Sequence, residues 1–212
     1  MAFRTRVAAP GLLAARMTAV ILDQRARAVI ERDSLKRRLR ETGGSLFGWE
    51  DEGTIHVACA SGPGPGAKHG PRSFAPAPAT VAAAMARVQS VSEGRYRYVG
   101  SWHTHPLSAA RPSATDSATA RAMAEQPDLL LPRPLVLIVA TTGTKRHIRV
   151  GELAAWTWTA RTGKLAKAEI TTVEFPERYC PAAELLYAYE EDVPAPDARG
   201  HTSGSRPKSN AI

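Results

Sequence analysis

The sequence predicts an α/β sandwich built on a mixed sheet. Three observations carry that expectation. Short apolar runs alternate with amphipathic stretches along the chain. Two β-rich runs flank the turn sequence Glu50-Asp51-Glu52-Gly53, which reads as a hairpin and so adds antiparallel pairs. One run, Leu135-Val136-Leu137-Ile138-Val139-Ala140, is apolar without alternation, the mark of a strand covered on both faces. No GxGxxG follows a strand and no GxxxxGK[ST] is present, which excludes a doubly wound nucleotide-binding fold.

The elements follow in order. Ala19-Val20-Ile21-Leu22 reads as a strand, with Asp23 placed to cap the next helix. Ala26, Val29, Ile30 and Leu35 or Leu39 recur at helical spacing over 24–40, and Gly43-Gly44 is expected to stop that helix. Strands are expected at 45–49 and 54–59. Residues 61–78 are too rich in Gly and Pro for regular structure, and a loop that long inside a domain is commonly functional. A helix over 79–90, a strand over 96–103 and an Ala-rich helix over 113–125 come next. The buried strand spans 134–141, and two more strands are expected near 146–158 and 166–175. Residues 177–191 read as a small terminal helix, and 192–212 as a disordered tail.

Composition narrows the function. The 212 residues are 43% hydrophobic and 23% charged, as in soluble globular domains. No run reaches the roughly 18 apolar residues of a membrane span. The two cysteines, Cys59 and Cys180, are far apart, which excludes a disulfide scaffold or Cys-type zinc finger and suits a cytoplasmic protein. The net charge is +8. Ten Arg or Lys against three acids in residues 1–40 account for nearly all of it. A basic surface helix explains that excess as well as a DNA site does, so nucleic acid is not the expected partner.

Chemistry concentrates in residues 101–116, SWHTHPLSAARPSATD. On a strand, His103 and His105 project from one face while Trp102 and Thr104 project from the other. Pro106 ends the strand. Asp116 then falls in the first turn of a helix. Two imidazoles and a carboxylate form a three-ligand zinc set with one position open, although such ligands alone do not exclude iron or manganese. Each piece also has a structural reading. The histidines could be partly buried strand residues, and Ser113-x-x-Asp116 matches a capping box. If Asp116 binds metal, the ligand role is expected to displace the cap. His56, His69 and His147 read as structural or solvated, as do Glu50, Asp51 and Glu52 in their turn.

The order HTHP, six residues, SATD, with Glu41 upstream in ETGGSLFG, resembles the HxHP-x6-SxxD signature of the JAMM (MPN-plus, JAB-type) metalloproteases, and its flanks resemble the bacterial branch. The resemblance spans about residues 17–175. It implies a single layered α/β/α sandwich with a curved mixed sheet, similar to cytidine deaminases, between an extension at 1–16 and a terminal segment at 177–212. It implies one zinc ion per chain on His103, His105 and Asp116. Glu41 would hold the attacking water and act as general base, and Ser113 would donate to the oxyanion. The implied activity is hydrolysis of an isopeptide or peptide bond at the C-terminus of a ubiquitin-like modifier or conjugated protein, in company with E1- or E2-like enzymes, as in some anti-phage systems. Maturation of a ubiquitin-like or sulfur-carrier precursor is the nearest alternative. A non-catalytic MPN scaffold is the other, although all five site positions are filled. The HxE and PCxxC of zinc deaminases are absent, as is the inserted Cys/His cluster of the family's polyubiquitin-specific members. The loop at 61–78 is the candidate to shape or cover the substrate groove.

Overall fold

A computed structural model describes residues 18–176. The extension at 1–16 and the segment at 177–212, with Cys180 and His201, lie outside the described residues. The chain opens on β1 (Ala19–Asp23) and turns directly into α1 (Gln24–Lys36). Asp23 joins them. One carboxylate oxygen accepts from the Arg25 N–H and the other from the Phe175 N–H, each at 2.8 Å. That satisfies a fully buried acid and ties the helix start to the far end of the domain.

The helix ends four residues earlier than its spacing suggests. Arg38 takes a φ of 49°, the left-handed conformation that closes helices. Gly43-Gly44 is therefore not the stop but the start of β2 (Gly43–Asp51). Gly43 pairs with His103 and Gly44 with Trp102 on β6 (Arg97–His105). A Cβ on Gly43 would strike the Trp102 carbonyl, and one on Gly44 the Ser61 carbonyl. The pair is needed for close strand approach beside the site.

The hairpin forms as expected between β2 and β3 (Thr54–Ala60), around Glu52 and Gly53, both at positive φ. Glu50 is not solvated there; it bridges Arg97, at 3.7 Å, and Arg133. A bulge at Ala58 turns Ala58 and Cys59 to the same side and returns Ala60 to the side of Val57. The Gly/Pro-rich stretch holds one short hairpin, β4 (Lys68–His69) with β5 (Phe74–Ala75). Then come α2 (Pro78–Val91), β6, α3 (Ala114–Glu125), β7 (Leu135–Gly143), β8 (Ile148–Thr159) and β9 (Lys164–Val173).

Seven strands run in the order β1-β3-β2-β6-β7-β8-β9, and the parallel β9–β1 ladder closes the sheet into a barrel. The pairing is mixed: β1–β3, β1–β9 and β6–β7 are parallel, the others antiparallel. α1 packs through Ala26, Val29 and Ile30 on a core to which all seven strands contribute. α2 and α3 pack with the sheet's other side chains, in separate clusters. β7 shows why its run is continuous. Leu135, Leu137 and Val139 join the α1 core, while Val136, Ile138 and Ala140 join the cluster with Ala120 of α3. No helix among the described residues is long and apolar enough to cross a membrane.

Candidate metal centre

β6 delivers both histidines. Its period of two puts Trp102 into the α1 core, fully buried, and turns His103 and His105 toward α3. Their Nε2 atoms lie 3.1 Å apart. The His105 Nδ1 is 3.1 Å from the Ala109 carbonyl. A carbonyl only accepts, so Nδ1 carries the proton and Nε2 keeps its lone pair for a metal. Ala109 lies in the turn after Pro106, so the loop fixes the ring that precedes it.

Asp116 arrives from the first turn of α3. Its Oδ1 lies 3.1 Å from His103 Nε2, and its Oδ2 3.6 Å from His105 Nε2. The capping box is nevertheless intact. The Ser113 N–H donates to Asp116 Oδ2 at 2.6 Å, and the Asp116 N–H donates to Ser113 Oγ at 3.2 Å. In this structure Asp116 makes the cap and the histidine contacts together. Two carboxylate oxygens offer about four lone pairs, enough to cap the helix and still face the imidazoles. Ser113 accepts the cap bond through oxygen lone pairs, so its hydroxyl proton stays available.

Burial works to raise the Asp116 pKa, but the imidazoles of His103 and His105 beside the carboxylate outweigh it and hold the carboxyl well below the ordinary range. The neighbouring Asp116 carboxylate in turn raises the pKa of His105. One donor atom from each of the three residues falls within 4.8 Å of the others. A tetrahedral ion with bonds of about 2.0–2.1 Å needs its ligands about 3.3 Å apart. The separations of 3.1 and 3.1 Å fit that requirement with small side-chain adjustment, and the nitrogen and oxygen donors suit a divalent metal.

Glu41 is not the solvated acid that a charged helix end would carry; it is only 9% exposed. It sits in the link between α1 and β2, held by main-chain bonds. Its N–H donates to the Gly70 carbonyl at 2.8 Å, and the His69 Nδ1–H donates to its carbonyl at 2.9 Å. Next to it, the Thr42 N–H donates to Thr104 Oγ1 at 3.0 Å, and the Thr104 N–H to the Thr42 carbonyl at 2.8 Å. Desolvation by burial raises the Glu41 pKa, opposed by the charges of His103 and His105. Its carboxylate is thus within electrostatic reach of the three donors. His69, expected to be structural or solvated, has a structural role: its bond to the Glu41 carbonyl helps hold the link in place. A lone histidine in a Gly/Pro loop gives no sequence signal for that role.

Glu41, His103, His105, Ser113 and Asp116 all line one cavity of about 890 Å³. Residues Pro71, Ser73 and Phe74, from the Gly/Pro-rich loop, form part of its wall. Val81, Met85, Tyr98 and Met123 extend the lining with apolar surface, and Arg72 and Arg111 are its only Arg or Lys. Among the described residues, the remaining histidines lie elsewhere. His56 stacks on Trp49 at 4.7 Å, and His147 sits in the β7–β8 turn. Among the described residues, no second cluster of His, Cys, Asp and Glu has metal-ligand spacing.

Comparison with known proteins places this geometry. A solved structure, the solution structure of protein DSY2949 from Desulfitobacterium hafniense, is similar in fold, with a TM-score of 0.55 at 18% identity, covering 74% of this chain and 95% of that one. A curated protein described as probable metalloprotease y4qB, from Sinorhizobium fredii (strain NBRC 101917 / NGR234), is 31% identical over 101 residues. That match covers 47% of this chain and 62% of the relative, so the chain spans less than two thirds of the relative's length. The model of the prokaryotic homologs of the JAB domain matches residues 23–159, from the cap of α1 to the end of β8. The match covers the strand that carries both histidines, the helix start that carries the acid and the link that carries Glu41. By that match the chain belongs to the prokaryotic JAB family.

Proposed function

We propose that this protein is a metallopeptidase that hydrolyses an amide bond at the C-terminus of a ubiquitin-like modifier or a conjugated protein. The observation that carries the reading is the convergence of His103, His105 and Asp116 in one cavity with Glu41. Membership of the JAB family supports it. The relative described as a probable metalloprotease gives further support.

In this reading His103, His105 and Asp116 hold one divalent ion, taken to be zinc. Bound there, the ion supplies a Lewis acid that lowers the pKa of water from roughly 15.7 to about 7 and polarises a carbonyl. The protein's own groups do the rest. Glu41, fixed through its main chain, takes the proton of the attacking water at its carboxylate and passes it to the leaving amine. Its burial suits that task, because a carboxylate stripped of water is a stronger base. Ser113 turns its hydroxyl proton toward the oxygen on which negative charge develops. Residues 71–76 narrow the approach, so that an extended tail of small residues brings its backbone to the site.

Two substrates test the proposal. One is a ubiquitin-like modifier with a C-terminal peptide extension; the other is the same modifier linked to a lysine side chain. Cleavage of the lysine-linked conjugate identifies an isopeptidase, and cleavage of the extension alone identifies precursor maturation. If metal-loaded protein cleaves neither, the peptidase reading is wrong and the scaffold reading stands.

A further inference from the structure

The end of α1 and the residues after it form a basic surface beside the cavity. Lys36, Arg37, Arg38 and Arg40 are four cations in five residues. The Arg38 guanidinium reaches the carbonyls of Lys145 and Arg146, which brings the β7–β8 turn to the same end of the molecule. Lys36 pairs with Asp33. Among the described residues Arg37, Arg38, Arg40, Lys145 and Arg146 form no ion pair. Other surface cations do find acids, as in Arg27–Glu31, Arg121–Glu125 and Lys167–Glu152. The basic end therefore keeps its field.

Leu35 and Leu39 lie within this surface, four residues apart, and are 40% and 39% exposed. Exposed leucines interspersed with arginine in the chain have the composition of a protein interface, where apolar groups and arginine occur together. Single-stranded nucleic-acid grooves instead interleave cations with aromatic rings. No Phe, Tyr or Trp stands in 35–40 or 145–146. Position adds to composition: Leu39 is two residues from Glu41, which lines the cavity, and Arg40 donates to the carbonyl of His69 in the loop that holds Glu41, so a partner seated here lies near the cavity.

We propose that this surface docks the folded body of the substrate protein through an acidic face carrying a small apolar spot, while that protein's tail enters the cavity. The inference rests on the peptidase reading and adds a substrate class to it: protein substrates whose docking face is acidic. Docking raises the effective concentration of the tail at the site and so lowers KM without changing the chemical step.

The test uses the full chain. The probe is a small acidic β-grasp domain with a C-terminal peptide extension, compared with the same peptide free in solution. The wild type is expected to show a KM for the fused peptide at least about tenfold below that of the free one. Added salt should erode the difference, because exposed charges are screened beyond about 10 Å at 0.1 M. Combined Arg37→Glu, Lys145→Glu and Arg146→Glu substitutions should remove the advantage and leave kcat and free-peptide cleavage unchanged. Leu39→Ser should remove part of it without altering charge. An unchanged advantage in both variants overturns the proposal. So does a basic surface whose variants abolish duplex DNA binding, or dissolve a dimer of this chain, while KM stays fixed. Fluorescence anisotropy of the acidic domain on the Glu41→Gln protein reads docking without chemistry. It therefore decides the proposal even if no peptide is cut.

Discussion

Glu41→Gln is expected to lower kcat by about 10²- to 10⁴-fold, the usual contribution of a general base, and to leave the metal content of the protein unchanged. The substitution keeps the shape of the side chain and removes its capacity to take a proton. It also spares the local fold. Glu41 is anchored by its N–H to Gly70 and by its carbonyl to His69, and both bonds are main-chain on the Glu41 side. Steady-state cleavage, metal analysis and a thermal melt on the same preparation check this. Undiminished activity would remove Glu41 from the mechanism. Loss of the metal along with the activity would make it a ligand instead of a base.

Asp116→Asn is expected to weaken metal binding by at least about 100-fold, since losing a direct ligand should exceed the 10–100-fold effect typical of outer-shell partners. The amide oxygen can still accept from the Ser113 N–H, so the cap at the start of α3 survives. Without metal the variant keeps the cap but should lose the stabilisation that the charged carboxylate draws from the two imidazoles. With metal at 100 times its Kd, the wild type should gain about 2.7 kcal/mol that the variant lacks. Ser113→Ala should do the reverse, losing about 1 kcal/mol of cap and keeping the metal. Titration calorimetry with the divalent ion, paired with chemical denaturation, separates the two effects. Equal metal affinity in Asp116→Asn and wild type would show that the acid only caps.

How much of this was legible beforehand follows from how local each determinant is. The strand at 134–141 could be read because a run buried on both faces needs no alternation, and β7 packs as that pattern requires. The meeting of His103, His105 and Asp116 could be expected because the ordered signature that suggests it lies within fourteen residues, from His103 to Asp116. The glycine pair was misread. Gly43-Gly44 follows a helix in sequence, but its need for glycine comes from Trp102 and Ser61, which are distant in the chain. The end of α1 was missed because an arginine, not a glycine, takes the left-handed position at Arg38. The barrel's closure depends on β9 meeting β1, a pairing between residues about 150 apart that no local pattern announces. The structural partner of His69 is hidden for the same reason, since it is a main-chain carbonyl 28 residues away.

The most direct measurement is anomalous diffraction from crystals grown with zinc, collected on both sides of the zinc edge. One peak per chain should stand about 2.0–2.2 Å from the Nε2 atoms of His103 and His105 and from a carboxylate oxygen of Asp116. A peak on other side chains, or none in fully loaded crystals, would contradict the account.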